Sequence, residues 1–549
     1  AVWGNQSPVG VVHLTGRGTE NNLASIRTTG GGHGLRGLAL VQDQISEDMR
    51  VSSQVSVFTL RSEGFYGLQK EQRGSVDRPL GLRNRGADFR VRWRPVDDLT
   101  LEPSLAFYEE ERGNGTVLSG NATEAFDLSL RVTRKSSSWT GQAMAYYQRR
   151  SFEALYSAVD AGRRTEVPAL DQFDVPGEGV GGGVTVALDA SENVDIVLGA
   201  DLRFLVGETN EQAGFVGGSF LRRRRAGGEQ FMGGMFARAI YRRDARLSLE
   251  GNVRADFWEF RNGERVERRP PAGILLRDTA YATRNGVIPS LSGALDYGFS
   301  DALRIRASAG TSFRLPTINE LYRPFRIRRD ITEANAGLEP ERFHAVDLGI
   351  EWSPSEHVSC HLKFFHYWID DVIANVPVTD LAEAESIAGF PPPGAVAQRR
   401  NVEQARVRGL ESRVRWWLSS RWSCDVRYLF SRARFTRSPD QPLLEGQAFP
   451  QSPEHRVTAG ISGDPLERVH LFAEIGLGSG QYDDALGERR LDSWWIARLG
   501  GEFKVNERMT LQARIENLFD EEVSTGLSSS GLRSIGQPRS LWLSLNYRF

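Results

Sequence analysis

The sequence predicts an all-β chain, a transmembrane antiparallel β-barrel of about 22 strands. Three observations lead there. Apolar residues alternate with polar ones at a period of two in segment after segment, the mark of a strand with one apolar-facing side and one wet side. No stretch approaches the roughly 18 to 20 consecutive apolar residues a membrane helix needs, so a membrane protein with this sequence must span by strands. The connections between the alternating segments come in two kinds, short and long, in turn.

Taken in order, the alternating segments include DFRVRWRP (88–95), NVDIVLGADLRF (193–204), LRIRASAGTSF (303–313) and HAVDLGIEW (344–352). VHLFAEIGL (469–477), WWIARLGGEFKV (494–505) and TLQARIENL (510–518) follow, and helical 3.6-residue spacing is absent from all of them. The short connections are polar turns: PVDD, KSSS, SEN, RDA, FSDA, SPSEH and VNERM. The long ones are expected near 62–85, 151–176, 208–228, 261–285, 314–341, 376–400 and 481–491. Tight turns on one rim and long loops on the other are the layout of an outer-membrane barrel, whereas soluble sandwiches seldom place all long connections at one end. The chain closes on PRSLWLSLNYRF, with Leu541, Leu543, Leu545, Tyr547 and Phe549 on one parity and Trp542, Ser544, Asn546 and Arg548 on the other. The first set is expected to face lipid and Asn546 and Arg548 the lumen, with this strand pairing to the first and removing every sheet edge.

Composition narrows the alternatives. With 40% hydrophobic residues, 25% charged residues and a formal net charge of -2, nothing points to a nucleic-acid partner. Two cysteines exclude a disulfide scaffold. Cys360 and Cys424 both fall on an apolar parity with one strand between them, about 9 to 10 Å, too far for a bridge, so two free, buried thiols are expected. His361 and His366 are five apart on a strand, face opposite sides and share no metal. Asp370 and Asp371 read as a solvated strand end, with Ca²⁺ ligation the lesser reading. No cofactor is expected, and no G-x-S-x-G, H-E-x-x-H, P-loop or Cys-His pair appears, so the chain is read as no enzyme.

Five motifs in order then resemble the TonB-dependent receptors of Gram-negative outer membranes. TSFRLPTINELYRPF (311–325) is similar to the family's F-R-x-P-T and N-E-L-Y segment through Phe313, Arg314, Pro316 and Glu320. NAGLEPERFHAVDLGIEW (335–352) resembles the N-x-x-L-x-P-E box that opens the next strand, and QARVRGLESRVRWWL the later G-x-E strand. RIENLFDEEV resembles the E-N-L-F-D box through Asn517, Phe519 and Asp520, and the closing strand ends on the aromatic Phe549. Residues 1–18 are similar to the end of the family's plug, which leaves 19–549 as the barrel and most of the plug outside this chain. The opening AVWGNQSPVG does not read as a secretory leader, so a removed or missing N-terminus is expected. A barrel of this size without its plug is expected to be a wide, ungated pore.

The resemblance implies a monomeric outer-membrane receptor, set in the lipid bilayer beside lipopolysaccharide, that holds a small nutrient ligand at its outer loops. It also implies uptake energised by TonB with ExbB and ExbD, acting through the missing N-terminal part. A passive porin-like channel is the alternative, and an outer-membrane barrel enzyme a more remote one. The expected ligand is anionic, most simply a ferric siderophore, because two segments placed outside are dense in arginine. LRRRRAGG supplies Arg222, Arg223, Arg224 and Arg225, and YRPFRIRRD supplies Arg323, Arg326, Arg328 and Arg329, with Tyr322 and Phe325 able to stack on an aromatic chelator. Arginine is also this chain's default base, 64 against four lysines. Residues 317–334 contain no histidine, whereas the family's haem receptors carry one there, so haem is not the expected ligand.

Overall fold

The computed structural model describes residues 21–327, 330–389, 391–392, 394–439 and 441–549; the segment expected to end a plug, residues 1–18, lies outside them. One sheet carries 25 strands, three of which are short rim segments, Ile274–Ala280, Phe325–Ile327 and Asp330–Glu333; its pairings are antiparallel except that Asp330–Glu333 runs parallel to Val396–Trp417. The remaining 22 form a closed barrel from Leu23–Gly31 to Ser540–Arg548. Closure is direct: Ser25 to Gly31 pair with Arg548 to Trp542 in continuous register, and the amide of Phe549 donates to the Ala24 carbonyl at 2.9 Å.

The parity expected for the last strand holds. Leu541, Leu543, Leu545 and Phe549 are outward and exposed, while Ser544 turns in to hydrogen-bond the Thr29 hydroxyl at 3.0 Å. The same outward band of exposed apolar side chains continues around the wall through Leu38, Val57, Phe107, Leu198, Leu291, Leu348, Phe364 and Leu499. Inward positions carry ion pairs instead, such as Lys363 with Asp347, Arg413 with Asp425 and Arg498 with Glu516. An apolar outer band around a polar lumen is what lipid outside and water inside select.

All seven short turns named from the sequence join strands on one rim. On the other rim the expected loops at 62–85, 314–341, 376–400 and 481–491 are present, at 63–81, 315–340, 379–395 and 479–493, together with connections at 114–119, 438–454 and 517–539. Three expected loops are mostly strand. Trp139–Val159 and Glu166–Ser191 leave only 160–165 between them, and Leu247–Arg269 turns through 270–273 into Ile274–Ala280. Val194–Val216 and Ser219–Arg242 meet at Gly217 and Gly218, whose φ of 60° and 84° suit a two-residue hairpin turn. A strand of 24 residues is about 80 Å long, where about 9 to 11 residues cross a bilayer. Beyond the bilayer both faces are wet, so the apolar alternation stops although the hydrogen-bond ladder runs on. That is why the sequence reads as loop there.

The two cysteines are free, with one strand between them as expected: Cys360 pairs with Val414, and Trp416 with Cys424. They are half-buried, not buried, because the apolar face they share is the outer one, in line with exposed Phe364 and Val426. His361 and His366 lie on opposite faces of Val358–Val378, His361 near Glu351 and His366 stacked on Trp368.

Candidate functional site

At the long-loop rim one connection turns inward. The connection 315–340 folds against the inner wall of the extended strands, and its local chemistry explains how. Pro316 is buried where Leu303–Arg314 ends, and Thr317 then caps the short helix Ile318–Tyr322. Its hydroxyl accepts from the Glu320 amide at 3.2 Å, and the Glu320 carboxylate accepts from the Thr317 amide at 2.7 Å, a reciprocal capping box. Arg314 donates to Glu320 at 3.0 Å and also pairs with Glu341, tying the strand end to the helix start. Arg399 donates to the carbonyls of Asn319 and Arg323 at 2.7 and 2.8 Å and closes the helix end.

The helix buries Leu321 and Tyr322 in a cluster with Met232, Trp258, Phe260, Ile288, Phe313, Leu315 and Leu338. Tyr322 stacks on Tyr281 at 5.1 Å and lies flat over Gly228 and Gly263. A Cβ on Gly228 would meet its ring at 2.7 Å, and one on Gly263 would come closer still, so glycine is required at both points of approach. Gly263 also belongs to a bulge. Asn262 has a φ of 52°, and Glu229 pairs with Arg261 while Gly227 pairs with Glu264. The extra residue moves the inward set on Leu247–Arg269 from even numbers at Arg254, Asp256, Trp258 and Phe260 to odd numbers at Arg265 and Glu267.

That shift completes a buried ionic network. Arg224 donates to Glu211 at 2.6 Å and to Glu267 at 2.9 Å; Arg265 donates to Glu267 and to Glu333, each at 2.7 Å. Arg222 reaches Glu267 at 2.7 Å, and Arg323 reaches Glu211 at 2.8 Å. Five members, Glu211, Arg224, Arg265, Glu267 and Glu333, are nearly inaccessible. Charges buried this deeply persist only when paired in good geometry, as these are.

This placement corrects part of the sequence-based expectation. Arg222 and Arg224 lie on a strand, not in a loop, point inward and are engaged by carboxylates of the wall. Arg223 and Arg225 alternate to the other side, Arg223 over the Phe173 ring at 5.0 Å and Arg225 against Glu264. Tyr322 is buried and stacked on its own chain, and Phe325 lies beneath Arg323 at 5.8 Å. Arg326 sits in the strand Phe325–Ile327, opposite Ile331, while Arg328 and Arg329 lie outside the described residues. Sequence reasoning missed Glu211, Arg265, Glu267 and Glu333. Only the inward alternation of acidic and basic residues hinted at them, and the bulge concealed it.

The second motif cluster closes the wall. Asn517, buried with a φ of 50°, donates to the carbonyls of Glu521 and Gln537 at 2.8 and 3.1 Å and accepts from the Glu521 amide at 2.8 Å. Asp520 accepts from the Arg539 amide at 2.7 Å, and Phe519, exposed, packs on Trp495 at 5.4 Å. Among the described residues no group of three or more His, Cys, Asp or Glu has the arrangement of a metal site.

A closed 22-strand barrel with a lipid-facing apolar band and an inward-folded rim loop defines an outer-membrane receptor-type β-barrel. The chain belongs to the TonB-dependent receptors: the family model described as TonB dependent receptor-like, beta-barrel, matches residues 64–518. Among curated proteins it is 26% identical over 262 residues to the vitamin B12 transporter BtuB of Vibrio vulnificus, covering 46% of this chain and 36% of that one. It is 26% identical over 149 residues to the catecholate siderophore receptor Fiu of Escherichia coli, covering 26% of this chain and 20% of that one. The matches thus span well under half the length of these relatives. Among solved structures the copper transporter OprC superposes with a TM-score of 0.78 at 16% identity, covering 98% of this chain and 82% of the other. The ferric yersiniabactin uptake receptor FyuA from Yersinia pestis gives 0.76 at 14%, covering 97% and 81%. At these identities the structures share the fold. The protein lies in the Gram-negative outer membrane, its long-loop rim outside.

Proposed function

We propose that this barrel takes up a scarce anionic nutrient, a ferric siderophore, from the outer face, with TonB, ExbB and ExbD supplying the energy through a plug that the barrel surrounds. The observation that carries the reading is the double anchoring of the segment 323–333. Arg323 is fixed to Glu211 on one side and Glu333 to Arg265 on the other, both on the inner wall at the mouth. The stretch between these anchors carries Arg326, Arg328 and Arg329. Guanidinium groups suit carboxylate and catecholate oxygens, and a lumen mouth with low-dielectric walls focuses a positive field towards an entering anion. The relatives named for siderophores support an iron chelate, and those named for vitamin B12 make cobalamin the competing cargo.

The test replaces Arg326, Arg328 and Arg329 with serine together in the full-length receptor. Uptake of radiolabelled iron from a panel of ferric siderophores should fall at least tenfold under iron starvation, with the barrel present in the outer membrane at its usual level. Undiminished uptake of every siderophore by the triple variant would remove these arginines from the ligand path. Uptake of cyanocobalamin, with no siderophore transported by either protein, would give the cargo to the B12 reading.

A further inference from the structure

The arginines left without an obvious role lie outside the barrel. On Val396–Trp417 the even-numbered residues face outward, as exposed Val414 and Trp416 show, and the same rule holds for Val426 on Trp422–Arg437. Following those parities upward, Phe364, Leu410 and Phe430 form one rung across three strands, and His366, Arg408 and Arg432 form the next. Trp368, Arg406 and Arg434 form the rung above. Arg408 thus stands directly opposite Arg432, and Arg406 directly opposite Arg434, with strands about 4.8 Å apart.

Like charges facing each other across a ladder are unfavourable unless an anion lies between them. The chain supplies little. Glu454 reaches Arg434 at 3.0 Å and Arg432 at 3.6 Å, the Gly446 carbonyl accepts from Arg434 at 2.7 Å, and the Gln404 amide oxygen accepts from Arg406 at 3.1 Å. The next acidic group on this face, Asp370, is engaged with His344 at 3.4 Å. The Nε atoms of Arg432 and Arg434 are buried without a hydrogen-bond partner. Four guanidinium groups therefore share one carboxylate. Elsewhere on the wall the rung at the corresponding level reads Arg85, Glu109 and Glu124, one base to two acids, so the excess of positive charge is local.

Height decides what meets this patch. From Trp416, at the inner edge of the outward apolar band, Arg408 is eight residues up the strand and Arg406 ten, about 26 and 33 Å. With strands tilted by about 35–45° these become roughly 20 and 25 Å, the outer edge of an apolar band about 25 Å tall. Trp368, stacked on His366 at 4.1 Å, sits at the level where aromatic side chains mark the interface. We propose that Arg406, Arg408, Arg432 and Arg434 form a binding site for the phosphate groups of outer-leaflet lipid, the lipid A end of lipopolysaccharide. Guanidinium forks bind phosphate oxygens bidentately, and the lipid's acyl chains would lie down the apolar band below.

The test measures lipid A carried by the purified full-length protein from detergent into native mass spectrometry, with folding verified by heat-modifiable gel mobility. Arg408→Gln with Arg432→Gln should weaken lipid A retention by roughly twentyfold, about fivefold for each lipid-surface charge removed. Arg85→Gln, at the acid-balanced rung, should leave it unchanged. Lipid A stripped of its phosphates should bind the unaltered protein as weakly as intact lipid A binds the double variant, a comparison that stands even if that variant misfolds. Equal retention of phosphorylated and dephosphorylated lipid A, or equal losses in the double variant and Arg85→Gln, would overturn the proposal. So would inorganic phosphate alone displacing the lipid at low millimolar concentration.

Discussion

Glu267 shows how far a single residue can be from legible. It accepts from Arg222, Arg224 and Arg265, and replacing it by glutamine leaves three guanidinium groups around a neutral amide. Removing one partner of a buried ion pair costs about 3–5 kcal/mol, because the remaining charge stays buried. Glu267→Gln should therefore loosen the 315–340 connection within an intact barrel, read as rapid cleavage near Arg323 by trypsin in folded protein. Protection equal to that of the unaltered protein would show that the network does not hold the connection. In the sequence, LRRRRAGG presents only charge density, and density suggested a ligand. Its inward residues find their partners 13, 43 and 45 positions away, distances no local pattern links. The outer face was readable because lipid imposes one rule on every strand. Leu543 and Ser544 are adjacent on opposite faces, so Leu543→Arg should cost about 2–4 kcal/mol in folding into vesicles and Ser544→Arg little. Equal urea midpoints for the two variants would contradict the assigned parity.

Elements were legible where their environment was uniform. Within the bilayer one face is apolar and the other wet, so the strands and the seven tight turns could be read directly. Above it both faces are wet, and the 23- to 26-residue strands Glu166–Ser191, Val194–Val216, Ser219–Arg242 and Leu247–Arg269 looked like loops. The helix Ile318–Tyr322 is a case where local chemistry speaks for itself, since Thr317 and Glu320 satisfy each other's backbone amides. It also gives the connection a pH response. Burial pushes the Glu320 carboxyl up, but Arg314 and the Thr317 amide outweigh it and hold the group below its ordinary range. A carboxylate depressed in the folded state contributes stability that is present above its unfolded value, about 4.3, and lost as pH falls through the folded value. The hydrogen-exchange protection factors of the amides of Leu321 to Arg323, corrected for the intrinsic rate at each pH, should therefore fall below about pH 4, while those of the barrel strands stay high. Protection factors that stay flat down to pH 3 would mean the capping carboxylate contributes nothing to docking.

At the scale of the whole molecule, closure and emptiness come from the same count. Twenty-two strands leave a lumen that their own side chains cannot fill, in contrast to an eight-stranded barrel. The wall responds by satisfying itself: Arg238 pairs with Glu250, Lys363 with Asp347, Arg413 with Asp425 and Arg498 with both Glu474 and Glu516. Such a lining is stable against water and needs no packed core. The rim is held separately at the seam, where the 63–81 and 517–539 connections interlock. Gln72 donates to the Gly531 carbonyl at 2.9 Å and accepts from the Arg533 amide at 2.7 Å, and the Ile535 amide donates to the Gly67 carbonyl at 3.0 Å. The inward-folded connection 315–340 lies against only part of the wall, chiefly the strands Ser219–Arg242, Leu247–Arg269 and Val396–Trp417. Closure therefore does not depend on anything filling the lumen, and residues 21–549 alone should refold into a heat-modifiable barrel. That barrel should conduct ions steadily across a planar bilayer at low voltage. A folded barrel that stays electrically silent would mean that the rim connections alone seal the mouth.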